Sequence, residues 1–153
     1  MRGTGADLLV RYLEQEGVEY VFGVPGGHLL GFYDALYDSK AVQPILAKHE
    51  GGAAYMAAGY ALAGQRLGVC CGTVGPGATN LISGVAAAYM ASLPILALTA
   101  QVGTGAIGKG ALQEAAGVGL RTPFHTALFA PITKHAEMVT RVDGLPEAVE
   151  RAL

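Results

Sequence analysis

From Leu67 to Gly108 the chain carries no Asp, Glu, Lys, Arg or His. An uncharged stretch of that length has to be buried, either in a bilayer or between the layers of a protein interior. Within it, residues 81–100 read LISGVAAAYMASLPILALTA, enough by length alone to span a membrane. Gly84 and Pro94 interrupt the run, and Asn80, Ser83 and Ser92 dot it with polar groups. A small-residue helix followed by a strand, both packed inside a parallel α/β layer, explains the missing charge and excludes a membrane partner. Charged residues make up 14% of the chain, the mean hydropathy is +0.39 and the net charge is -2. Nothing in that balance recruits nucleic acid or an anionic surface.

The 153 residues suit a single domain, 1–153, with its own core. Met1 to Val10 lacks the apolar run of a secretory signal. Cys70 and Cys71 are adjacent inside a predicted strand, so their side chains point to opposite faces and a disulfide between them would be strained. Two buried thiols imply a reducing, cytoplasmic setting.

Hydrophobic periodicity orders the elements. Thr4 or Asp7 begins a helix with Leu8, Leu9, Tyr12 and Leu13 on one face, ended by Gly17. Tyr20 to Val24 is a short buried strand closed by Pro25, Gly26 and Gly27, and a helix from Leu29 to Tyr37 follows, with Phe32, Tyr33, Leu36 and Tyr37 as its apolar stripe. Pro44 to Ala47, Gly68 to Val74 and Pro94 to Ala100 read as further strands, separated by helices over 51–64 and 78–90. This alternation predicts an α/β fold, a parallel sheet covered by helices on both faces. The stretch 101–131 reads as a long loop with one helical turn around Leu112 to Ala116. Ile132 to Val139 then predicts a last strand and Asp143 to Leu153 a helix. That helix runs to the final residue without a stop signal, which implies a longer parent chain.

Several motifs compete for a function. Gly103, Gly105 and Gly108 match a dinucleotide fingerprint, but it follows the fourth strand and no acid lies about 20 residues on. Gly103, Gly108 and Lys109 almost spell a P-loop, yet Gly110 stands where a hydroxyl is needed for magnesium. A flexible glycine loop is the better account. Gly75-Pro76-Gly77-Ala78-Thr79-Asn80 joins a strand to a helix at the carboxyl edge of the sheet, where α/β proteins bind ligands. Asn80 there reads either as a helix cap or as a donor and acceptor aimed at that edge. His28, His49, His125 and His135 have no partner at metal-ligand spacing and read as surface or supporting groups. Tyr55 and Tyr60 read as packing residues.

Glu50 is the one acid in a run of small side chains, Lys48-His49-Glu50-Gly51-Gly52-Ala53-Ala54. It sits at a strand-to-helix corner where Gly and Ala admit a flat ligand close to the backbone. A buried carboxyl holds its proton above the free value of roughly 4.3 and can hand it to a bound base near neutral pH. The local pattern also fits an ordinary helix-start Glu held by the helix dipole.

Taken together, FGVPGG, KHEGGAAYMAAGYA and GPGATN, followed by AYMASLPILALTAQV and ALQE, resemble one family in order and spacing. The chain resembles the N-terminal, pyrimidine-binding domain of thiamine-diphosphate enzymes of the acetolactate synthase group. The resemblance covers nearly the whole chain. It implies that Glu50 is the catalytic glutamate, hydrogen-bonded to ring nitrogen N1′ of the cofactor's aminopyrimidine. It further implies that Val24, Pro25 and Gly26 lie along the pyrimidine, that Pro76 and Asn80 supply other cofactor contacts, and that Gln113 faces the reacting centre. The substrate implied is a 2-keto acid, and the reaction a carboligation or decarboxylation.

The family holds the diphosphate through magnesium in a separate domain marked by a Gly-Asp-Gly motif, which this chain lacks. The resemblance therefore implies a diphosphate-binding domain as partner, on the same or another chain, and a homo-oligomer. A separate subunit of a two-chain decarboxylase and a non-catalytic docking module of the same fold remain alternatives. FAD is neither required nor excluded. Departures from the family pattern are Ala58 and Leu62, where many acetolactate synthases have Asp and Arg, Leu112 in place of an aromatic residue, and a longer stretch 118–131. They suit a related decarboxylase, carboligase or acetyltransferase about as well.

Overall fold

A computed structural model describes residues 3–114 and 124–153. The first helix, α1, spans Gly5–Gln15, and the choice of its start falls on Thr4. The Thr4 hydroxyl accepts from the Asp7 N–H at 3.1 Å, and the Asp7 carboxylate accepts from the Thr4 N–H at 2.6 Å. This reciprocal box satisfies two of the donors that every helix start leaves open. Val10 and Leu13 are its buried residues, with Ala6 and Leu9 packed beside them.

Four strands follow among the described residues: β1 (Tyr20–Gly23), β2 (Gln43–Leu46), β3 (Gly68–Gly72) and β4 (Ile95–Thr99). All pair in parallel, in the order β2-β1-β3-β4. Pro44 is tolerated because β2 is an edge strand, where a missing N–H costs no ladder bond. The α/β expectation with helices on both faces holds. On one face α1 and α2 (Leu30–Asp38) pack over Val21, Val69 and Cys71. On the other, α3 (Glu50–Gly64) and α5 (Ile82–Met90) pack over Phe22 and Cys70.

The period-two alternation therefore divides Cys70 from Cys71, as expected, and both thiols are free and fully buried. Burial, together with Cys71 beside it, pushes the Cys70 thiol up to about 12. Burial also raises Cys71, whose Sγ lies 3.4 Å from the Tyr33 hydroxyl. Neither is a nucleophile at neutral pH.

The charge-free stretch is accounted for by close packing. Ala53, Ala54, Ala57, Ala58 and Ala61 form the buried stripe of α3. At Gly68 the helix backbone lies directly on β3, and at Gly84 it lies against α5: an added β-carbon would overlap the Ala57 carbonyl oxygen or the Ala54 side chain. Side chains with charged heads have no room in such a contact. Among the described residues no helix is long and apolar enough to cross a membrane.

Four expectations are corrected. The helix over 78–90 is two helices, α4 (Pro76–Thr79) and α5, broken at Asn80 and Leu81. The loop 101–131 contains a further helix, α6 (Phe124–Phe129), in a segment whose Thr and aromatic residues are weak helix formers. Ile132 to Val139 is not a strand. A 3-10 turn, Ala130–Ile132, is followed by chain without regular secondary structure, and Ile132 and Ala136 pack against the α3/α5 side of the core instead of joining the sheet. Tyr55 and Tyr37, read as packing residues, are 54% and 87% exposed.

The last helix, α7 (Leu145–Ala152), is shorter than expected because Val142–Gly144 forms a 3-10 turn ahead of it. Arg151 pairs with Glu137, which His135 also meets at 3.0 Å. The turn expected around Leu112 to Ala116 falls partly outside the described residues, as does part of 118–131. Leu112 and Gln113 are in a turn.

Candidate functional site

In the order β2-β1-β3-β4 the chain leaves β1 toward one edge and later crosses over to β3 on the other side. The loops following β1 and β3 thus diverge and leave a crevice at their carboxyl ends, where open parallel sheets place ligands. Val24, Pro25 and Gly26 form the first lip. The second lip is Thr73 to Gly75 with α4. Glu50 reaches the crevice from the end of β2, as the first residue of α3.

Missing side chains let these loops meet. A β-carbon on Gly26 would lie 2.5 Å from that of Thr73, and one on Gly77 would lie 2.7 Å from the Thr73 methyl. The same position on Gly77 is 3.4 Å from Oε1 of Glu50. Gly75 has φ +67, a conformation that favours glycine, and the backbone carbonyl of Gln113 packs on the side where a β-carbon would be. Gly26, Thr73, Gly77 and Glu50 therefore form one continuous wall. Within it the Thr73 hydroxyl is buried and makes no hydrogen bond among the described residues. An orphaned polar atom of that kind is uncommon in a folded chain and calls for a partner.

The Asn80 Nδ2 group donates to Oε2 of Glu50 at 2.9 Å. The amide nitrogen is the end of Asn80 placed against the Glu50 carboxyl. The break between α4 and α5 serves this contact, since Asn80 sits at the joint and its side chain is directed at Glu50, not at a helix end. Asn80 closes the end of α4 through its backbone N–H, and its side chain is left to meet Glu50. Glu50 itself is half-buried. Being in the first turn of α3, it also receives the positive end of that helix. The cap of α3 is His49, whose Nδ1 accepts the Gly51 N–H at 3.0 Å. That bond closes the start of α3, next to Glu50.

Asn80, Gly77, Thr73 and Gly26 are thereby gathered around Glu50. Val24 is half-buried at the margin of the same core, while Pro25 and Pro76 stand exposed on the two lips. Gln113 joins through its backbone; its side chain is exposed, and it has positive φ (66). Among the described residues no cluster of three His, Cys, Asp or Glu could hold a metal.

The glycine loop 103–110 is organised from within. Glu114 accepts the Gly108 N–H at 2.6 Å and the Ala111 N–H at 3.4 Å. A carboxylate of the chain itself takes amides that a phosphate would need. ATP and NAD are therefore expected to show no micromolar binding in calorimetric titration. Such binding, abolished by Lys109→Ala, would overturn this assignment.

The sequence reads one residue only as a surface or supporting group, and its place in the site is not legible there. His125 on α6 is 5% exposed, and its Nε2 accepts the Gly75 N–H at 3.1 Å. No local pattern links positions fifty apart. The only sequence trace is the pairing of His125 with Phe129 one turn on, both buried.

Residues 3–120 match the family model described as "Thiamine pyrophosphate enzyme, N-terminal TPP binding domain". Over 97% of its length the chain is 48% identical to the probable acetolactate synthase large subunit of Methanocaldococcus jannaschii. It is 45% identical over 99% of its length to the acetolactate synthase large subunit of Corynebacterium glutamicum, and 43% identical over 97% to that of Lactococcus lactis subsp. lactis. It spans 24%, 23% and 24% of those three proteins, so about a quarter of each. With the matching parallel sheet and the glycine-walled crevice at its switch point, the chain belongs to the N-terminal domain family of thiamine pyrophosphate enzymes.

Proposed function

We propose that this chain forms the pyrimidine-holding half of a thiamine diphosphate site in an acetolactate-synthase-like enzyme that acts on a 2-keto acid. The observation that carries the reading is the Glu50–Asn80 pair at the β1/β3 crevice. A flat heteroaromatic ring fits this wall: Gly26 and Gly77 leave backbone close at hand, Glu50 offers a carboxyl, and the Thr73 hydroxyl has no partner among the described residues.

Bound thiamine diphosphate supplies a nucleophilic carbon and an electron sink for the keto acid. Glu50 holds and moves the proton at ring nitrogen N1′. Asn80 fixes the rotamer of that carboxylate so that its other oxygen faces the ring. Val24, Pro25, Gly26 and Pro76 would hold the pyrimidine, and Gln113 would face the substrate. Magnesium and the diphosphate belong to a partner domain bearing the Gly-Asp-Gly motif, on the same or another chain, and the assembled enzyme works in the cytoplasm as a dimer or higher oligomer.

The surface of the α3–α5 pair supports a covering partner. Tyr55, Met56 and Leu62 on α3, and Tyr89 and Met90 on α5, are 39% to 82% exposed. Apolar side chains gathered on one helix pair mark an interaction face, and a symmetric pair is the commonest way to cover one. Two measurements on the 153-residue chain alone test the reading. Light scattering is expected to give at least twice the 15.6 kDa chain mass. With thiamine diphosphate and magnesium added, pyruvate is expected to stay unconsumed, because a ring without its diphosphate anchor gains few contacts. A clean monomer would remove the interface, and pyruvate turnover would remove the half-site.

A further inference from the structure

The proton-handling pair Glu50–Asn80 is only as well placed as the turn that carries Asn80. That turn starts at Gly75, in a left-handed conformation, and its single backbone donor is directed inward. We propose that His125 is a positioning residue: neutral, it holds the Gly75 N–H through Nε2 and so sets the turn that brings Pro76 and Asn80 to Glu50. The inference rests on the functional reading above, but its structural half concerns only residues of this chain.

The geometry is specific. His125 is the one polar or charged residue buried as a whole among the described residues. It comes from α6, which packs beside α4. To accept at Nε2 the imidazole must be neutral, with its proton on Nδ1. Protonation replaces the acceptor with a second donor aimed at the Gly75 N–H. The buried amide then has no partner, and the turn must move or take up water.

Among the described residues the ionisable groups around His125 are few. The residues of α4 and the Ala130–Ile132 turn carry none. Glu50 approaches the turn from α3 at Gly77, and Glu114 is committed to Gly108 and Ala111. Burial alone accounts for the lowering of His125 below its ordinary 6.5. Above 6.5 the group is neutral folded or unfolded. Below 6.5 the unfolded chain takes the proton first, so stability falls with pH, and the bond to Gly75 is lost once the folded group protonates.

The test uses the full-length enzyme with His125→Leu, which removes the acceptor, and His125→Gln, which keeps one that cannot titrate. The readouts are amide hydrogen exchange across residues 72–80, thiamine diphosphate affinity against pH, and kcat at saturating cofactor. His125→Leu is expected to speed exchange at Gly75 and weaken cofactor binding about tenfold, the order expected for one orphaned donor, with a smaller change in kcat. His125→Gln is expected to restore protection and affinity, and to stay level at acid pH where the wild type declines. Wild-type exchange at Gly75 in His125→Leu would overturn the inference. Should that variant fail to fold, an acid decline in His125→Gln equal to the wild type's would overturn it too. A Glu50→Gln enzyme with undiminished cofactor chemistry, alongside a responsive Gly75 amide, would sink the functional reading and leave the His125 contact standing.

Discussion

Replacing Gly68 with alanine is expected to be among the most damaging single-methyl additions in this chain. The new β-carbon would lie 2.8 Å from the Ala57 carbonyl carbon and overlap its oxygen. These are backbone atoms of α3, fixed by the helix's own hydrogen bonds, so no side chain can rotate away. The helix has to lift from β3, opening the contact that buries Ala53, Ala54, Ala57 and Cys70. Overpacking a well-filled core costs about 1–3 kcal/mol, and a clash with backbone belongs at or above the top of that range. For a domain of this size a loss of about 3 kcal/mol lowers Tm by roughly 6–12 °C.

The control is on the same helix. Gly59 is exposed, with nothing within 4 Å of an added β-carbon. Gly59→Ala is expected to gain about 0.5–1 kcal/mol from reduced backbone freedom. Calorimetric unfolding of the two variants checks both signs. Equal midpoints would mean that α3 does not ride on Gly68.

Glu50→Gln is the variant with the largest expected effect on chemistry. The amide has the shape of the carboxylate, and its oxygen can still accept from Asn80, so packing and fold are preserved. What it cannot do is exchange a proton with a ring nitrogen. Losing a positioned acid or base typically costs on the order of 10²- to 10⁴-fold in rate. Turnover of a 2-keto acid by the full-length enzyme is expected to fall within that range, while the thermal midpoint stays within about 1 °C of wild type, the shift for a few tenths of a kcal/mol.

Much of this was readable from residue order. The strands announced themselves as short apolar runs between Gly and Pro, and the crevice followed from GPGATN after β3. Glu50 stood out because small neighbours isolate it. Two features were legible only as alternatives. Asn80 does cap α4, and only its contact with Glu50, from another part of the chain, shows where its side chain goes. Ile132 to Val139 reads as a strand, yet strand pairing is a property of neighbours, and this segment found its partners on the helical face. His125 left no signal because its role depends on α6 folding back over Gly75. Contacts of that range are set by the tertiary fold, and periodicity does not encode them.

The central claim is that Glu50 moves the proton at the pyrimidine ring. Its most direct test is the exchange of the C2 proton of bound thiamine diphosphate for deuterium, quenched at successive times and read by NMR. The comparison is between the full-length wild type and its Glu50→Gln variant, both saturated with cofactor and magnesium. This account predicts exchange slowed by about 10²- to 10⁴-fold in the variant, with cofactor still bound. Equal exchange rates in the two proteins would contradict it.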